Sequence, residues 1–187
     1  MGSHYSTSIV LVGEGAPEAI GALDRYANVS TAMFSGIPDD EVQRWITRAH
    51  SPYLVHDRDP LGHVAAAWVE FYDDLTTLGT LDLEVDRVLA AFDSGQAMMP
   101  DYYVVASPEK LSPTWQHWWL GVLSQAAPTR VIPWADDSAH SLGRMLRTLP
   151  SSRPWPEPSP WLHTVARTIP ARLGLGDGPA AEVGPSD

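Results

Sequence analysis

Tyr53-Leu54-Val55-His56-Asp57-Arg58-Asp59-Pro60-Leu61-Gly62 (YLVHDRDPLG) is the stretch that decides the fold class. Tyr53–His56 has the length and apolar character of a buried strand. Asp59-Pro60 reads as a helix start, because aspartate can cap a first turn and proline is tolerated there. The helix predicted to follow, Gly62–Leu75, carries Val64, Ala67, Trp68 and Phe71 on one face. A strand that passes this quickly into an amphipathic helix is half of a β–α unit.

The same alternation recurs on both sides. Upstream, Ser8–Val12 (SIVLV) is a β-branched run closed by Gly13. Pro17–Ala27 follows with helical spacing at Ile20, Leu23 and Tyr26. Val29–Phe34 is a second strand, and Pro38–His50 a second helix. That helix has acids in its first turn and arginines late, as the macrodipole favours. Val42, Trp45 and Ile46 form its expected buried stripe. Downstream come a helix at Leu83–Phe92, a strand at Tyr102–Ala106, a tryptophan-rich helix at Pro113–Ser124 and a strand at Arg130–Trp134. Strands separated by helices specify an α/β fold, a doubly wound, mainly parallel sheet of about five strands with right-handed crossovers.

The character changes after Trp134. Ser138–Leu149 has helical spacing, and Pro150, Pro154, Pro156, Pro158 and Pro160 are expected to break regular structure. Trp161–Ile169 reads as a short helix, and Gly174–Asp187 as a flexible tail. The organisation is an α/β domain over 1–135, a helical and Pro-rich extension over 136–173, and a tail over 174–187.

The chain has 187 residues, 44% of them apolar, which is enough to bury a core. It has no cysteine, which removes disulfides, thiolate metal sites and cysteine nucleophiles. Twelve basic residues stand against 23 acidic ones, a formal charge of −11. That balance opposes salt-driven nucleic-acid binding by the chain alone, so such binding is expected only with a basic partner. No run is long and apolar enough for a membrane span, and Met1–His4 opens no signal peptide, so the expected location is the cytoplasm.

In an open parallel sheet, ligands bind beyond the carboxyl ends of the strands. Glu14 stands there after the first strand, with Asp57 and Asp59 after the third. Three acids at one rim raise one another's energy unless a cation neutralises them, and hard oxygen ligands suit Mg²⁺ or Mn²⁺. The plainer reading of Asp59-Pro60 is the helix start already noted. His56 and His63 flank the acidic pair and could support it, or could simply be polar residues near a helix start. Trp115, Trp118 and Trp119 are core residues if their helix is buried and an interaction surface if it is not.

These pieces resemble the Toprim domain, shared by bacterial primases, topoisomerases, OLD-type nucleases and the topoisomerase VI A subunit. The similarity is carried by Glu14-Gly15 with Glu18-Ala19, then Gly36-Ile37-Pro38, then Asp57-Arg58-Asp59-Pro60-Leu61-Gly62, over roughly the first hundred residues. The resemblance implies a Mg²⁺-dependent phosphoryl-transfer or nuclease module acting within a complex. Glu14 would be its acid–base residue, Asp57 and Asp59 its metal ligands, and Glu18, His56 and His63 supporting residues. A second stretch, Ser107-Pro108-Glu109-Lys110-Leu111-Ser112-Pro113-Thr114-Trp115 followed by Arg130-Val131-Ile132-Pro133, resembles the middle of a TIR domain. Trp119 stands where TIR hydrolases carry their glutamate, so this resemblance implies a non-catalytic interaction module. It would work through Trp115, Trp118 and Trp119, with a protein partner or a second copy.

Overall fold

A computed structural model describes residues 6–135, 138–150 and 155–166. Five strands form one all-parallel sheet: β1 (Thr7–Gly13), β2 (Val29–Ala32), β3 (Tyr53–His56), β4 (Tyr102–Ala106) and β5 (Val131–Trp134). The order is β2-β3-β1-β4-β5. The fold class expected from the alternation is therefore present, with flanking helices on both faces.

The order sets which helix covers which face. The chain leaves β1 in one direction to reach β2, and afterwards moves only the other way. Right-handed crossovers then put α1 (Ala16–Leu23) on one face. α2 (Asp39–Arg48), α3 (Gly62–Tyr72) and α4 (Leu78–Asp93) lie on the other. With them is a continuous helical stretch made of α5 (Pro113–Gln116), a π-helical segment (His117–Leu123) and α6 (Ser124–Ala126). Strand side chains divide accordingly. Ile9, Leu11, Val104 and Ala106 pack with α1, while Val10, Tyr103, Val105 and Val131 pack with α3, α4 and the π segment. Both faces are buried, as a parallel sheet requires.

The Pro-rich extension belongs to this core. α7 (Ala139–Leu146) seats Leu142 and Leu146 beside α1, and α8 (Pro158–Val165) seats Leu162 and Val165 beside α3 and α4. The Trp68 indole N–H donates to the Val165 carbonyl at 3.1 Å. The expectation that prolines exclude regular structure here is corrected: Pro158 and Pro160 sit in the first turn of α8. N–H groups there have no intrahelical acceptor, so proline loses no bond. The tail over 174–187 lies outside the described residues.

Two further expectations need correction. α4 begins at Leu78, not Leu83, because the Thr77 hydroxyl caps it by accepting from the Thr80 N–H. The stripe on α2 is not uniformly buried: Val42 is buried, Ile46 is half-buried and Trp45 is 44% exposed.

Gly13 at the end of β1 is in register with Ala106 of β4 and has φ +98°. A Cβ there would stand 2.3 Å from the Ala106 carbonyl oxygen. Gly13→Ala is therefore expected to lose stability by about 2–4 kcal/mol, from a left-handed backbone and a backbone clash together. Denaturant unfolding checks this, and a midpoint equal to that of the parent chain would contradict the close approach.

Candidate functional site

Two strand residues break the apolar rule on the α2/α3 face. Ser8 of β1 and His56 of β3 are both buried, and Ser8 Oγ lies 3.0 Å from His56 Nε2. Polar groups in the face of a parallel sheet need partners or an adjacent space. Here there is a space. A cavity of about 530 Å³ lies over Ser8 and His56, walled by Val42 and Ile46 of α2, the start of α3 and Val88 of α4. Its size falls within the ~300–1,000 Å³ usual for small-molecule sites. Val42 and Ile46 of the α2 stripe read in the sequence are thus cavity wall, and Trp45 is not.

Of the three acids in the cavity lining, Asp39, Asp59 and Glu84, Asp59 is the one with no arginine partner among the described residues. Its Oδ1 accepts the Leu61 N–H at 2.9 Å, an Asx-type turn that leads into α3. The same oxygen accepts the Tyr103 hydroxyl at 2.7 Å. Tyr103 reaches it because β-register places His56, Val10 and Tyr103 in one row across three strands. The Tyr103 ring is held between Trp119 (centroids 5.5 Å) and Trp155 (5.8 Å). Both donors use Oδ1, and Oδ2 accepts no hydrogen bond from a described residue.

Burial pushes the Asp59 carboxyl up to about 6. The Tyr103 and Leu61 hydrogen bonds and the nearby His63 pull the other way and only partly offset it. Burial, with Asp59 beside it, holds the Tyr103 hydroxyl well above its ordinary value. His56 is pushed down to about 4, again by burial, with the Arg58 backbone opposing. Near neutrality His56 is uncharged, whereas Asp59 populates both of its forms. The other charged groups in the walls are matched. Arg58 donates to Asp39 Oδ1 at 2.7 Å and to the Ile37 carbonyl at 2.8 Å, and Arg87 pairs with Glu84.

The other sequence-predicted residues lie elsewhere. Asp57 Oδ1 accepts the Phe34 N–H at 2.6 Å and so ties the β2–α2 connection to the end of β3. Glu14 is 67% exposed, with Lys110 Nζ at 4.0 Å. Glu18 is in the first turn of α1, the helix on the opposite face of the sheet from the cavity. His56 lines the cavity floor, and exposed His63 stands at its rim. Trp118 and Trp119 are buried in the core and Trp115 packs against it, so the three form no exposed interaction surface. No group of three or more His, Asp or Glu placed to hold a metal ion occurs among the described residues. Glu14, Asp57 and Asp59 each have their own partners: Lys110, the Phe34 N–H, and Tyr103 with the Leu61 N–H.

Ser8 and Tyr103 were missed by sequence reasoning. Ser8 carried a weak signal as a hydroxyl opening an otherwise β-branched strand. Tyr103 carried none, because its role depends on register. No protein family, characterised protein or solved structure matches this chain in comparison.

The two shifted groups act on stability in opposite directions. Native Asp59 holds its proton to higher pH than the unfolded carboxyl, so its contribution is present below about 4 and lost as pH rises through about 6. Native His56 resists protonation, so its contribution is present above 6.5 and lost as pH falls through about 4. In the parent chain the slopes oppose each other. Asp59→Asn is expected to unmask stability that rises between pH 4 and 6.5, and His56→Asn stability that falls between pH 4 and 6. Each amounts to about 1–3 kcal/mol at ~1.4 kcal/mol per pKa unit. Urea unfolding across this pH range checks both signs.

Magnesium provides a separate check. Millimolar Mg²⁺ is expected to move the thermal midpoint of the parent and of Asp57→Asn equally. A stabilisation present in the parent and absent in the variant would show that the acids do gather around a cation.

Proposed function

We propose that the chain is an enzyme acting on a small organic substrate held in the cavity between α2, α3 and α4. Asp59 is its general acid–base. The observation that carries this reading is a carboxyl group in the cavity lining with one oxygen fixed by Tyr103 and Leu61 and no hydrogen bond from a described residue on the other. Proton transfer is most effective when the catalytic group titrates near the working pH, and burial has moved Asp59 toward that range. Ser8 and His56 supply a neutral hydrogen-bonding floor that can orient a polar substrate group. Val42, Ile46 and Val88 supply apolar walls that exclude water from it.

This reading replaces the Mg²⁺-dependent phosphoryl-transfer expectation, because Asp57 holds the Phe34 backbone and Glu14 faces solvent. It is also better supported than assembly through Trp118 and Trp119, whose indoles are inside the core. No phosphate chain or cofactor is required by it; the substrate class is a compact molecule with a polar end and an apolar body.

The test has two stages. The Asp59 carboxyl, followed by carbon NMR, is expected to titrate near 6; an ordinary value near 4 would remove the acid–base role. Small molecules that raise the thermal midpoint are then offered as substrates. Asp59→Asn is expected to bind them and to turn them over ~10²–10⁴-fold more slowly. Undiminished turnover by that variant would overturn the proposal.

A further inference from the structure

A second concavity lies on the outer side of α2 and shares no residue with the cavity. Its volume is about 520 Å³, and Ser30, Arg44, Trp45, Arg48 and His50 line it. Trp45 presents 44% of its surface here, held edge-on to Phe34 at 5.5 Å. Arg44 is tied to Asp40 by an exposed pair at 2.9 Å. Arg48 makes no ion pair with a described residue. Glu41 is the one acid in the lining. On a chain of formal charge −11, a lining of two arginines and a histidine against the single acid Glu41, with Arg44 also paired to Asp40, is far less acidic than the rest of the chain and leaves Arg48 beside an open indole without an ion pair among the described residues.

The concavity also borders the edge of the sheet. β2 is terminal in the strand order, and no described strand pairs with its outer side. Ser30 is in register with Leu54 and faces the α2 side. The opposite edge is different: β5 contains Pro133, which lacks an N–H and blunts strand addition. An open strand edge offers main-chain hydrogen bonds, and the adjoining groove reads alternate side chains of whatever pairs with it.

We infer that the β2 edge and the α2 groove together dock an extended acidic segment of a partner protein as a sixth strand. Its alternate carboxylates meet Arg44, Arg48 and His50, and an intervening apolar side chain covers Trp45. Charge selects this occupant over two others. A second copy paired β2 to β2 would set the same arginines against each other. A nucleic acid could not use the main-chain edge and would be repelled by the acidic remainder of the surface.

The probes are a fluorescently labelled decapeptide of alternating Glu and Val, its Lys/Val counterpart and a labelled oligo-dT, all against the full chain. The acidic peptide is expected to bind, to shift the backbone amides of Ser30, Thr31 and Ala32, and to weaken as salt is raised. R44E/R48E is expected to weaken it by at least ~tenfold, and R44K/R48K to retain most of it. These are exposed helix positions, and circular dichroism confirms that the variants fold. The inference is overturned if oligo-dT or the lysine peptide binds as tightly, if R44E/R48E binds the acidic peptide unchanged, or if the amide shifts fall outside β2. It is overturned equally if no peptide binds, or if size exclusion shows that the β2 edge is occupied by a second copy.

Discussion

A parallel sheet covered on both faces leaves almost no room for polar side chains, and this fold departs from that constraint at one place. Ser8 and His56 sit in the face that Val10, Tyr103 and Val105 otherwise make apolar. Ser8 Oγ and His56 Nε2 bond to each other beneath the cavity that α2 leaves over the sheet, while His56 Nδ1 is buried without a hydrogen-bond partner. A layer closed by apolar contact with α2 would strand both groups. The same separation leaves Asp59 walled by protein yet open to the cavity.

One physical cause therefore moves two groups in opposite directions. Burial disfavours charge, which raises a carboxyl and lowers an imidazole. Asp59 and His56 converge in charge state: both become easier to hold neutral. Hydrogen bonds from Tyr103 and Leu61 then keep Asp59 from being locked in the protonated form. Tyr103 can serve only because Trp119 and Trp155 fix its ring, so the aromatic core positions the acid even though no indole enters the cavity.

α2 has two working sides. Val42 and Ile46 look inward to the cavity, and Arg44, Trp45 and Arg48 look outward to the edge of the sheet. Its amphipathic pattern is real, but its apolar side borders a space rather than packed atoms. A hydrophobic stripe reports that a face is shielded from bulk water; it does not report what fills the shielded volume. Arg58 anchors the helix by reaching both Asp39 and the Ile37 carbonyl, so the charged loop after β3 sets where α2 lies.

The chain's own pattern of residues determined the alternation of five strands with helices, because side-chain periodicity is a local property of the backbone. Tyr53–His56 and Tyr102–Ala106 could be delimited to the residue, and Asp59-Pro60 was legible as the turn into α3. His56, Asp59 and His63 were also recognisable as a polar group at a strand end. Tertiary structure alone decided what they do. Strand order and register bring Ser8 and Tyr103, distant along the chain, to His56 and Asp59. Glu14 and Asp57, which spacing along the sequence had grouped with Asp59, do not line that cavity and meet Lys110 and the Phe34 N–H instead. Residues share a site when strand order and register point their side chains to the same face of the sheet at the same level, and both are settled by packing across the whole molecule.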